Sequence, residues 1–143
     1  MTTSALPKVA IVFETILGIG AIGGGLALVI GPRGEVLPLP VSALAGSPFT
    51  TYCVPGLILV VVLGVGPLVA AVLAHRRHAA APFFTVVVGA ALVIWIAVEI
   101  AIVGYSSHPP LQAVYLGLGI VIVLVGGMWT FTDPSARRRL GFA

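Results

Sequence analysis

Residues 54–74 read VPGLILVVVLGVGPLVAAVLA and run directly into His75-Arg76-Arg77-His78. No charged side chain interrupts the tract, and about 20 such residues cross the hydrocarbon of a bilayer as a helix. A spanning segment must satisfy its backbone internally, which a helix does; barrel strands are about half as long and alternate polar with apolar. Working outward, three more tracts of the same kind appear, over residues 8–30, 83–104 and 111–131. The predicted fold is all-α: an integral membrane four-helix bundle, one membrane domain over residues 1–143, with a long first loop at 31–55.

Composition agrees. Of 143 residues, 59% are hydrophobic and 8% charged, and mean hydropathy is +1.21. A soluble domain carries about a quarter charged residues to cover itself, so this surface faces lipid. The net charge of +3 does not point to nucleic acid, because the basic residues sit in short clusters between apolar tracts. Anionic headgroups are their expected neighbours. The first tract is longer than a signal-peptide core and no clear A-x-A cleavage site follows it, so it is expected to be a retained helix.

The clusters also set an orientation. Lys8 precedes the first tract, Arg76 and Arg77 separate the second from the third, and Arg137-Arg138-Arg139 follow the fourth; only Arg33 falls on the other side. The positive-inside rule then predicts a multi-pass protein of the plasma (inner) membrane with both termini cytoplasmic. Phe49, Tyr52, Tyr105 and Tyr115 form an outer aromatic belt, and Phe83, Phe84, Trp129 and Phe131 an inner one. Trp95 lies well inside the third tract.

The 31–55 loop is expected outside. It opens on Gly31-Pro32-Arg33-Gly34, passes Pro38 and Pro40, and leaves residues 41–45 able to form one helical turn. Its apolar content predicts that it packs back on the bundle as a lid.

Lipid gives helices little hydrophobic reason to meet, so small residues that let backbones approach become the expected contacts. Gly20 and Gly24 form a small-xxx-small pair in the first helix, and Gly119 and Gly126 serve the fourth, within one chain or between copies. Pro67, preceded by Gly64-Val65-Gly66, should kink the second helix; it is either a packing kink or a hinge. Gly18-Ile19-Gly20-Ala21-Ile22-Gly23 spells a dinucleotide fingerprint, but that string works only between a strand and a helix.

Two acids lie in the apolar tracts, where ionisable groups are costly and mark candidate sites. Glu14 stands in the inner half of the first helix and Glu99 in the outer half of the third, about 15 Å apart in depth by rise per residue. They are not expected to pair. Trp95 is one turn from Glu99 on the same face, and Tyr115 and Gln112 fall at similar depth on the neighbouring helix. Glu99, Tyr115 and Gln112, roofed by Trp95 or the loop, form a candidate ligand or proton site; alternatively Glu99 only locks two helices through Tyr115. For Glu14 the bland expectation is snorkelling to the cytoplasmic interface or pairing with Lys8 or a loop arginine.

Other chemistry is not supported. His75, His78 and His108 lack the further ligands of a zinc or haem site, Cys53 is the only cysteine, and no nucleophile–base constellation is legible. No cofactor, metal or enzymatic activity is expected.

The glutamate in a glycine-rich first helix, Gly31-Pro32-Arg33-Gly34, Ser47-Pro48-Phe49, Val54-Pro55-Gly56-Leu57, Trp95 with Glu99, and Leu111-Gln112 before Tyr115 and Gly117 carry a resemblance over most of the chain. It resembles a set of small, uncharacterised bacterial four-helix membrane proteins, which implies the architecture and no activity. It is also similar to small multidrug-resistance transporters, with four helices and an acid early in the first, where Glu14 stands. The long loop, the charge asymmetry and Glu99 depart from that pattern.

Two functions are thus carried forward. One is a non-enzymatic module binding a partner protein, lipid or small apolar ligand under the loop. The other is a proton-coupled transporter or channel subunit, using Glu14 or Glu99 with Pro67 as hinge. The lipid bilayer is the expected partner, with a second copy or a membrane protein besides.

Overall fold

A computed structural model describes residues 5–139 and residue 141, with the side chains of residues 136 and 139 left aside. The two termini, for which a cytoplasmic location was expected, lie outside the described residues.

Among the described residues four helices are long and apolar enough to cross a membrane: α1 (Ala5–Ile30), α2 (Cys53–His75), α3 (Ala81–Val103) and α4 (Leu111–Thr132). A short α5 (Pro134–Arg139) follows, and a single 3₁₀ turn, Val41–Leu44, interrupts the first loop. No strand occurs among the described residues. The chain is a multi-pass membrane protein with an all-helical four-helix bundle.

Each helix packs on its neighbours in sequence, and α4 closes the ring against α1. The segment 31–52 and the 104–110 turn therefore share one end, the loop end. Residues 76–80 and 133–139 share the other, the basic end.

Local chemistry sets the boundaries. Pro82 opens α3 at a position whose N–H has no helical partner anyway. Gly104 ends α3 at φ 85°, and its N–H donates to Ile100 O. α1 starts earlier than the charge of Lys8 suggested, because a single lysine at a helix end keeps its head in water while the backbone winds on.

Inside α2 the hydrogen-bond register slips. Residues Leu59–Val65 are π-helical, and the Gly66 N–H donates to Val61 O, five residues back. Pro67 is the cause: it has no N–H to return to Leu63, so the turn before it widens. Pro67 itself is fully buried.

Burial follows one stripe per helix. α1 buries Leu6, Ala10, Glu14, Leu17, Ala21, Gly25 and Leu28; α3 buries Thr85, Val88, Leu92 and Ile96. The opposite faces carry bare hydrocarbon, with Ile30 73% and Ile94 62% exposed. Such faces suit lipid and no other solvent.

The hairpins close at glycines, at the expected Gly119 and Gly126 of α4 but in a different register on α1. A Cβ on Gly18 would stand 2.8 Å from Gly64 O, and one on Gly25 2.7 Å from Gly56 O, so these pairs join α1 to α2. Gly119 meets Gly89, and Gly126 meets Val86 and Pro82 O, joining α4 to α3. Gly20 and Gly24 do not make that contact. They face space with only Tyr115 Oη or Leu59 near 3.9 or 3.8 Å. The small-xxx-small spacing exists at both registers, and only the rotation of α1 chooses between them.

Candidate functional site

The loop end is built as a lid over a hollow. Tyr52, immediately before α2, donates its hydroxyl to Pro40 O at 2.9 Å and its N–H to Pro32 O at 2.8 Å. Those bonds pull the loop down, and Leu44 is buried against Leu28 and Tyr52 with Phe49 and Leu37 alongside. Burial pushes the Tyr52 hydroxyl above its ordinary pKa. Ser47 closes the turn after the 3₁₀ segment by donating to Leu44 O at 2.8 Å. Cys53 is half-buried at the start of α2.

Beneath the lid lies a cavity of about 210 Å³, walled by Phe49, Tyr52, Pro55, Leu59, Trp95 and Glu99 among others. A second cavity of about 280 Å³ lies toward α1 and α4, walled by Gly20, Gly24, Leu59, Trp95, Glu99 and Tyr115 among others. Leu59, Trp95 and Glu99 line both. Glu99 is thus the acid shared by two largely apolar spaces, with Tyr52 in the wall of the first and Gln112 and Tyr115 in that of the second.

Glu99 is held from one side. Gln112 donates its amide to Glu99 Oε1 at 3.1 Å and to Gly104 O at 3.1 Å, while its own carbonyl accepts from Ser106 N–H at 2.8 Å. Gln112 is therefore a clamp joining the end of α3, the turn and the start of α4. Among the described residues no hydrogen bond reaches the other oxygen of Glu99.

The partner is Gln112 rather than Tyr115. Tyr115 lines the second cavity, half-buried, with its hydroxyl toward Gly20 on α1. Glu99, Gln112, Trp95 and Tyr115 do surround one space, as expected, and Trp95 forms a wall between two cavities rather than a roof.

Glu14 is elsewhere, and it does not snorkel. It is 0% exposed, because positions 6, 10, 14, 17 and 21 share the inward face of α1 and aim it into the bundle. Thr85 of α3, also 0% exposed, is its polar neighbour in the bundle interior. Yet both Glu14 carboxyl oxygens and Thr85 Oγ1 are buried with no hydrogen-bond partner among the described residues. Pro67 lies one helix away: Gly18, one turn along α1 from Glu14, packs on Gly64 and Leu68 on either side of it.

Thr85 was not anticipated from the sequence. Its signal was there, since it falls on the same face as Val88, Leu92, Ile96 and Glu99. The Tyr52 latch had no such signal, because nothing local ties a tyrosine to a carbonyl twelve residues earlier.

At the basic end a third cavity, about 610 Å³, is lined by Lys8, Ile11, His75, Arg77, His78, Trp129 and Asp133 among others. Arg77 adopts the left-handed φ of 52°. There its N–H donates to Ala74 O and the His78 N–H to Leu73 O, closing α2 in the cap that glycine ordinarily makes.

The chain matches no protein-family model, no curated protein and no solved structure. Its site is read from its own chemistry.

Proposed function

We propose that this protein is a non-enzymatic membrane module that holds an elongated apolar molecule, a lipid chain or an apolar ligand of similar girth, in the loop-end cavities. One observation carries the reading: Glu99, bonded by Gln112 at one carboxyl oxygen, lines both of two largely apolar cavities. Apolar walls with one oriented polar group are what a ligand site needs to bind and to align its occupant. The Glu99 oxygen accepts from a hydroxyl, amide or ammonium at the polar end of the molecule. The lid latched by Tyr52 covers it. The positive clusters favour the basic end in the cytoplasm of a plasma (inner) membrane, with both termini there. The loop-end site then opens in the outer leaflet.

The test uses Trp95 as reporter in a Trp129→Phe background, with the protein in mild detergent. A brominated fatty alcohol should quench Trp95 saturably, and Glu99→Leu should weaken that binding several-fold. Linear, non-saturating quenching, together with native mass spectra free of any retained molecule, overturns the reading.

A second reading, a proton-coupled transporter or channel subunit, draws on the unpartnered Glu14 and Thr85 oxygens beside the Pro67 kink. Liposomes with the protein should then show a pH-driven flux that Glu14→Gln abolishes. Wild-type liposomes without flux remove it.

A further inference from the structure

We propose that the mouth of the bundle at the basic end is a binding site for a phosphate group, as carried by an acidic phospholipid. It is distinct from the loop-end cavities and does not depend on what they hold. Lys8 from α1, His75 at the end of α2, and Arg77 and His78 just after it converge on one cavity of about 610 Å³. Asp133 also lines it, its Oδ1 accepting from Ser135 N–H and Ser135 Oγ–H as the cap of α5. With neutral histidines the lining keeps a net positive charge, and Arg76, Arg137 and Arg138, all exposed, add to the field around it.

The floor is of another kind. Trp129 is 6% exposed and packs with Leu6, Ala10 and Ala74, and Ile11 lies against the same cluster. Cations above and an indole with aliphatic carbon below reproduce the gradient that a phospholipid crosses between headgroup and chain. A soluble phosphate uses only the upper half of such a site.

Arg77 gives the second, independent indication. It occupies the left-handed position of the α2 cap, φ 52°, in a chain that contains 18 glycines and caps α3 with one. A non-glycine residue at a left-handed position carries backbone strain, and such outliers cluster at ligand-binding sites. A guanidinium is the planar fork that fits phosphate oxygens two at a time.

The same feature provides a clean variant. Arg77→Gly removes the charge while relieving the backbone, so the fold is retained or strengthened. Native mass spectrometry of the full chain, equilibrated with equal phosphatidylglycerol and phosphatidylcholine in mild detergent, should show several-fold preferential retention of phosphatidylglycerol. Arg77→Gly and Lys8→Gln should bring that preference close to parity, with an unchanged or higher melting temperature for Arg77→Gly. Arg33→Gln, at the loop end, should leave it intact. Displacement of the lipid by inorganic phosphate identifies the phosphate group as the whole of the recognised ligand; resistance to displacement shows that headgroup and chains are held together. Equal retention of both lipids by the parent protein overturns the proposal, as does an Arg33→Gln effect equal to that of Arg77→Gly.

Discussion

The Gln112 amide donates to Glu99 Oε1 at 3.1 Å, and the same nitrogen donates to Gly104 O at 3.1 Å. One side chain thereby orients the acid of the loop-end site and secures the end of the helix that carries it. With Ser106 N–H donating to its carbonyl at 2.8 Å, Gln112 uses both ends of its amide.

Replacing Gln112 with leucine keeps the bulk and removes three hydrogen bonds. At roughly 0.5–1.5 kcal/mol for each net bond, the cost is about 1.5–4.5 kcal/mol, read as a lower melting temperature in detergent. Glu99→Gln leaves the two bonds that do not involve Glu99 and should cost less than half as much. Equal losses for the two variants would show that the clamp acts through Glu99 alone.

Glycine substitutions test the packing register. A Cβ at Gly18 meets Leu68 at 2.7 Å and Gly64 O at 2.8 Å, whereas one at Gly20 meets nothing nearer than 3.9 Å. Gly18→Ala should cost about 1–3 kcal/mol through overpacking against backbone. Gly20→Ala should stay within about 0.5 kcal/mol. The reverse order of melting temperatures would mean that α1 is rotated from the orientation described.

Glu14 buries two carboxyl oxygens that have no hydrogen bond among the described residues. Leucine at that position removes an unsatisfied group from an apolar setting, an unfilled need worth about 1–3 kcal/mol. The expected outcome of Glu14→Leu is a higher melting temperature, with any flux activity lost. A large fall in stability would reveal that Glu14 has a partner.

The lid has an alkaline limit. The fold holds Tyr52 neutral, with its hydroxyl donating to Pro40 O, and burial raises its pKa. The contribution of Tyr52 is therefore complete below the unfolded value near 10 and is lost as pH rises through the higher folded value. Trp95 emission, followed in a Trp129→Phe background, should report lid opening in that alkaline window. Tyr52→Phe, which lacks the latch hydrogen bond, should loosen the lid already at neutral pH. A Tyr52→Phe protein with the parent's profile across the whole range would rule out the latch.

Several features were legible from residues alone. The loop segment that turns at Val41–Leu44 and the convergence of Glu99, Gln112, Trp95 and Tyr115 on one space follow from helix spacing and short-loop antiparallel pairing. The bond that Glu99 makes, the depth to which Glu14 is aimed and the glycines that touch were not legible. In a soluble helix the apolar stripe announces the inward face. Here lipid and neighbouring helix are both apolar, so Ile16 at 61% exposure and Leu17 at 3% look alike in sequence.

The amino-acid sequence by itself determined that four tracts leave water, because hydropathy sums along the chain and needs no partner to be counted. It also determined which connections carry the positive charge. Tertiary structure alone decided how each helix is rotated about its axis, and with that the pairing of Gly18 with Gly64, the Gln112–Glu99 bond and the seclusion of Glu14 with Thr85. Rotation is chosen by backbone contact and by where polar atoms find partners, and both are properties of two helices at once.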